Sequence, residues 1–250
     1  TISISKCIFE SNDHRDIYAV GKHLVEVVNS KFTGIKSVKN AEALQCSKGF
    51  IFRVINCTFT NYAALYSPLY VNVYVHVIFQ NCLFNRNSAK SSGGAISILE
   101  TSNFSIINCK FIQNSAHAMG GAMRLEKLIY LTNWNTTFKQ NWANREVGAI
   151  YVVHIKHAFN INCSFISNRA IYGKSFAGAA FFNRVDYLLN WNLLFLNNTA
   201  NSGGALHIAH GSNKNSITSV MCRKTYFLYN IARKGHSGAV SSRNVISFHF

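Results

Sequence analysis

The chain has 250 residues with 25 Lys or Arg against 9 Asp or Glu, a formal net charge of +16. A hydrophobic content of 48% with one Pro excludes a disordered chain, and no apolar run is long enough for a membrane-spanning helix. The basic balance points to polyanionic partners in general without selecting a site.

In chain order, the opening carries weak repeats around SKCIFESN and VNSKF. His14–Val25 and Lys36–Lys48 interrupt them and are expected to form side loops. Residues 61–75 are expected to form an aromatic, Pro-containing loop followed by a strand. From residue 76 the pattern becomes regular: FNRNSAKSSGGAISI from Phe84 returns as FIQNSAHAMGGAMRL from Phe111 and FKQNWANREVGAIYV from Phe138. Further copies start at Phe165, Phe195 and Phe227, and weaker ones at Phe9, Phe32 and Phe59. The steps between these Phe residues are 23, 27, 25, 27, 27, 27, 30 and 32. GSNKNS after His210 reads as a polar insertion that lengthens the last step. No basic-plus-apolar leader opens the chain. Thr1 lies inside a repeat and VISFHF closes in an apolar strand, so more chain is expected at both ends.

A near-constant period in this range marks a repeat architecture. Within each unit the apolar residues alternate, as in SIINCKF, so the elements are strands. Roughly 27 residues make about one three-sided turn of a parallel β-helix, with strands of ~4–6 residues. The expected fold is therefore all-β: one right-handed parallel β-helix over residues 1–250, about eight or nine coils of ~27 residues, irregular over 1–75 and regular over 76–250.

Aligned on the Phe, the copies predict ladders. Phe84, Phe111, Phe138, Phe165, Phe195 and Phe227 form one column. Asn87, Asn114, Asn141, Asn168, Asn198 and Asn230 form a second, three residues on. Another Asn column, three residues before the Phe, runs through Asn29, Asn56, Asn81, Asn108, Asn135, Asn162 and Asn192. Stacked rings and linked amides are the expected result, with Asn also suited to a left-handed corner. The Gly column (Gly94, Gly121, Gly148, Gly178, Gly204, Gly238) is expected to serve a tight turn.

Phe-x-x-Asn at 9, 84, 111, 138, 165, 195 and 227, paired with Gly-Gly-Ala-aliphatic at 93–96, 120–123 and 203–206, resembles the repeat of the chlamydial polymorphic membrane proteins. VGAI, AGAA and SGAV are one-residue variants. The likeness covers residues 76–245 well and the first 75 poorly. It implies a surface passenger of the autotransporter kind, a β-helix acting in adhesion ahead of an outer-membrane barrel.

Candidate chemistry is sparse. Glycoside hydrolysis needs two close carboxylates, and only Glu10, Asp13 and Asp16 cluster. Glu26, Glu42, Glu100, Glu126, Glu146 and Asp186 are scattered. The chain has no C-x-x-C; Cys7, Cys57, Cys82, Cys109 and Cys163 share one phase and read as buried free thiols. His154 with His157, and His207 with His210, resemble metal pairs, but Arg184 falls between His154 and His210 in the alignment. No cofactor or metal is expected. Asn-x-Ser/Thr occurs at Asn56, Asn103, Asn135, Asn162 and Asn197, with Asn103 and Asn197 the better acceptors in a secreted eukaryotic protein.

The sequence thus reads as a non-catalytic, extracellular or cell-surface adhesin-like binding or spacer module. The alternatives are a carbohydrate-active β-helix enzyme and a structural subunit of a larger assembly. The loop between the Asn and Gly ladders is expected to carry Arg86 and Lys90, Arg145, Arg169 and Lys174, and Arg233 and Lys234 as one basic stripe, opposed there only by Glu146. Its expected partner is a polyanionic glycan or a host or cell-surface macromolecule; the solenoid ends are expected to pair with the rest of the chain, and no specific nucleic acid is expected.

Overall fold

The computed structural model describes residues 1–10, 15–21, 24–35, 42–172, 175–209, 219–234, 237–243 and 247–249. They form a parallel β-solenoid with three faces. A long sheet of 13 strands, a Phe sheet of nine and a short sheet of seven run along the rod. One regular turn comprises Ile96–Ile107 in the long sheet, Lys110–Ile112 in the Phe sheet and Ser115–Ala116 in the short sheet. Each strand pairs in parallel with the same strand one turn away: Ile96 with Met123, Phe111 with Phe138, Ala116 with Ala143. Among the described residues seven turns carry all three faces, against the eight or nine coils expected; the segments after the Phe9 and Phe32 strands that would complete two more lie outside the described residues.

The strand lengths also differ from expectation. Each regular turn has strands of 12, 3 and 2 residues. The 12-residue strand bends without losing its partner, because one residue at its middle takes a left-handed backbone. These residues are Lys48, Val73, Glu100, Lys127, His154 and Arg184, with φ between 52° and 59°. Two further left-handed columns make the other corners. One is the predicted column Asn29 to Asn192, φ 48° to 54°; the other is Asn61, Arg86, Gln113, Gln140, Ser167, Asn197 and Tyr229. A left-handed conformation costs a non-glycine residue about 1 kcal/mol or more, so stacking on both neighbouring turns must hold it.

The ladders fill the interior. Phe rings from Phe9 to Phe227 stack in one column with centroids 4.6–5.0 Å apart and planes within 10°, close to the ~4.8 Å spacing of paired strands. The second Asn column is buried from Asn87 to Asn198. Asn141 Nδ2 donates to Phe111 O and Asn168 Oδ1, while its own Oδ1 accepts from Asn114 N and Nδ2. The side chain thereby satisfies the corner's backbone groups as well as its neighbours.

The Cys column has a specific reason. It follows the left-handed Asn, and its side chain donates back to the carbonyl two residues earlier: Cys57 to Ile55, Cys82 to Gln80, Cys163 to Ile161. Ser30 and Thr136 make the same bond at the same position. A small donor there pairs a carbonyl at the corner, which accounts for Cys, Ser and Thr in most copies; Leu193 fills the position with apolar volume instead. All seven Cys are free, and all but Cys7 are buried.

The Gly ladder acts differently from the reading above. Left-handed backbone occurs at the first Gly of two copies, Gly93 and Gly120. The ladder residues Gly94, Gly121, Gly148, Gly178 and Gly204 are required because a Cβ would overlap the carbonyl oxygen of the next ladder Gly one turn on.

Parts of the two stretches expected to be side loops are strands. Arg15–Val20 pairs with the long strand Glu42–Ile55, which continues onto Leu69–Gln80. Their apolar alternation, with Ala19, Leu44 and Cys46 buried, satisfies the sheet without any Phe or Gly motif. Residues 36–41 and the GSNKNS insertion lie outside the described residues, as does His210.

Candidate binding surface

The outer face of the short sheet carries the concave surface nearest the predicted basic residues. Strands of two residues place one side chain inward and one outward. The inward member is Ala89, Ala116, Ala143 or Ala170; the outward column in register is Ser88, Ser115, Trp142, Arg169 and Thr199. Trp142 thus stands between small Ser115 and exposed Arg169.

Grooves lie on both sides of this indole. One, of about 450 Å³, is lined by Gln113, Gln140, Trp142, Ser167 and Arg169. The other, of about 330 Å³, is lined by Trp142 with Ser88, Ser115, Lys90, His117 and Asn144 among others. The corner beside the first groove is an exposed polar ladder. Arg86 Nε donates to Gln113 Oε1 at 3.0 Å, and Gln113 Nε2 donates to Gln140 Oε1 at 3.4 Å.

The predicted basic residues lie on this side of the rod but not in one column. Arg86 is at the corner before Asn87, Arg169 is in the short sheet itself, Lys90 and Arg233 directly follow it, and Arg145 and Lys234 come one residue later. Six exposed cations therefore occupy four repeat positions. The reason is that the sequence between the Phe and Gly ladders crosses a corner, a strand and a loop, so equal distance from a motif is required for alignment. Lys174 lies outside the described residues. Glu146 is half-buried beside Arg145, and burial pushes its carboxyl up while Arg145 opposes that shift.

The acids sit elsewhere. Five of them form ion pairs: Glu10 with Lys31, Glu26 with Arg53, Glu42 with Arg15, Glu100 with Lys127 and Glu126 with Arg124. The expected acidic cluster is divided, since Glu10 pairs in the Phe sheet and Asp16 bonds Tyr62; Asp13 lies outside the described residues. Among the described residues no three His, Cys, Asp or Glu side chains gather as a metal site. His154 contacts Arg184, while His157 stacks on Tyr130. Asn103 bonds His76, and Asn197 is exposed at a corner.

Sequence reasoning missed Trp142 as a surface feature. It occupies a position where neighbouring copies have Ser, Arg or Thr, and that mismatch with the repeat was the available signal. It also missed an interior polar ladder, Asn133, Asn160 and Asn190, which runs down the long sheet to Cys222 Sγ.

Residues 81–98 and 192–209 match the Chlamydia polymorphic membrane protein repeat. The match covers these two segments of the chain. Both matched segments span a left-handed Asn corner, the Phe strand, the short-sheet strand and the Gly approach, so the polymorphic membrane protein repeat corresponds here to most of one solenoid turn. No curated protein and no solved structure gives a significant match to the chain.

Proposed function

We propose that this chain is a non-catalytic binding module of an extracellular or surface-displayed protein, and that it contacts a polyanion through the outer face of the short sheet. The observation that carries the reading is segregation of charge. Five acids are neutralised in ion pairs, none of which includes Arg86, Lys90, Arg145, Arg169, Arg233 or Lys234. Those exposed cations are spread over four turns, in segments between the Phe and Gly ladders where Glu146 is the single acid. Repeating cations along a rod fit an anionic glycan or an anionic cell surface, which presents charge at intervals in the same way. The match to the polymorphic membrane protein repeat supports display as a surface passenger.

Heparin chromatography tests this reading. Replacing Arg86, Arg145, Arg169 and Lys234 with Ser is expected to lower the salt needed for elution well below that of the parent protein. Replacing Lys110, Lys139, Lys156 and Lys224, exposed on other parts of the rod, is expected to lower it less. Ser already occupies the Arg86 corner position three turns away as Ser167, so the fold tolerates it. Equal losses from the two sets would show that net charge alone retains the protein.

A further inference from the structure

We infer that the grooves around Trp142 form a saccharide subsite, which takes an acidic sugar ring within the polyanion proposed above and therefore rests on that reading. Four observations converge. An aromatic side chain stands between two concavities of about 450 and 330 Å³, each large enough for sugar units. Its neighbours in the column, Ser115 and Arg169, differ in kind: the first is too small to cover the indole and the second supplies a guanidinium. Gln113, Gln140 and Ser167 bring amides and a hydroxyl to the first groove. Lys90, His117 and Asn144 line the second, with Asn144 Nδ2 and His117 Nδ1 3.1 Å apart.

This is the chemistry a sugar acid needs. The apolar C–H face of the ring packs on the indole, the ring hydroxyls exchange hydrogen bonds with the primary amides and Ser167, and the carboxylate or sulfate meets Arg169. Among the described residues Arg169 has no ion pair that would compete. An unstructured polyanion would need the cations but not the indole or the amides. Trp134 and Trp191, on the long sheet, are more exposed than the half-buried Trp142, but neither lines these grooves.

The test compares an acidic oligosaccharide, a hexamer of uronic acid, with polyphosphate. Indole N–H resonances of the three Trp residues are followed by NMR during titration of each. The oligosaccharide is expected to shift the Trp142 signal and leave those of Trp134 and Trp191 in place. Trp142→Ala is expected to weaken oligosaccharide binding about tenfold or more while leaving polyphosphate binding within twofold. Arg169→Gln, an exposed change that keeps the fold, is expected to weaken both ligands. Oligosaccharide affinity unchanged by Trp142→Ala, with polyphosphate still bound, would overturn the subsite and leave the polyanion reading intact. Failure of the parent protein to bind either ligand would overturn both.

Discussion

Phe138 has no exposed surface and lies between Phe111 and Phe165, with both centroids 4.9 Å away. Its truncation to Ala leaves a cavity that two rings cannot close, because the strand spacing holds them apart. A loss of about 3–5 kcal/mol is expected by chemical denaturation; a loss below 1 kcal/mol would mean that the ladder is loosely packed. His207 gives a residue-level pH dependence. It is 7% exposed, stacks on Phe181 and contacts Phe176. Burial, assisted by Arg243, pushes its imidazole down to about 4. The unfolded chain, at about 6.5, therefore takes the proton first. Stability present above pH 6.5 is lost as the pH falls toward 4, by at most about 3 kcal/mol. His207→Phe is expected to reduce the fall in melting temperature between pH 7 and pH 4.5. A variant with the same fall as the parent would exclude His207 as the cause. The buried thiols behave in the opposite direction: desolvation pushes Cys57 and Cys163 up to about 12, which keeps them protonated and poor nucleophiles.

At the scale of one turn, the three short-range devices are a left-handed corner, a small donor after it and a Gly where two turns approach. Gly148 shows the last device. A Cβ there overlaps Gly178 O and presses on Arg169 N, both backbone atoms that cannot rotate away. Gly148→Ala is expected to cost about 1–3 kcal/mol or more from overpacking, and the added methyl must push two turns apart. Thermal unfolding measures this; a neutral or stabilising effect would show that the turns are not in close contact. The buried Asn corner differs from the exposed one. Asn141 makes bonds to three neighbouring residues, two of them through backbone groups of the corner, whereas the Asn56 side chain links to the side chains of Asn29 and Asn81 on the exposed side. Both columns share one residue type for separate reasons, satisfaction of a buried corner and tolerance of positive φ.

For the molecule as a whole, stacking converts a repeat position into a line along the rod. Charges at one position reinforce each other; those at different positions spread into a patch. The six described cations of the short-sheet side form such a patch, so their attraction for a polyanion is long-ranged and screened. With a Debye length of ~8 Å at physiological ionic strength and ~3 Å at 1 M, heparin retention through this face is expected to vanish as salt approaches 1 M. In the proposed binding mode the Trp142 grooves would supply the short-range part, which salt affects less. The two contributions are separable because one depends on total charge over several turns and the other on one side chain.

The repeated Phe-x-x-Asn and Gly-Gly-Ala phrases were sufficient, by phase alone, to determine the parallel coil, the Phe column, both Asn columns and the chain segments that make most of each regular turn. The physical reason is that strand pairing allows one axial spacing, so residues of equal phase must lie one above another. The same argument could not find the bend in the long strand. Glu100, Lys127 and Arg184 have no local preference for a left-handed backbone and are held there only by the turns on either side. Nor could it separate the uses of Gly, because close approach of two carbonyl-bearing turns is a distance between residues far apart in the chain. The candidate surface was decided by tertiary structure for the same reason: Trp142, Arg169 and Gln113 belong to three different repeats, and only stacking brings them to the edge of one groove.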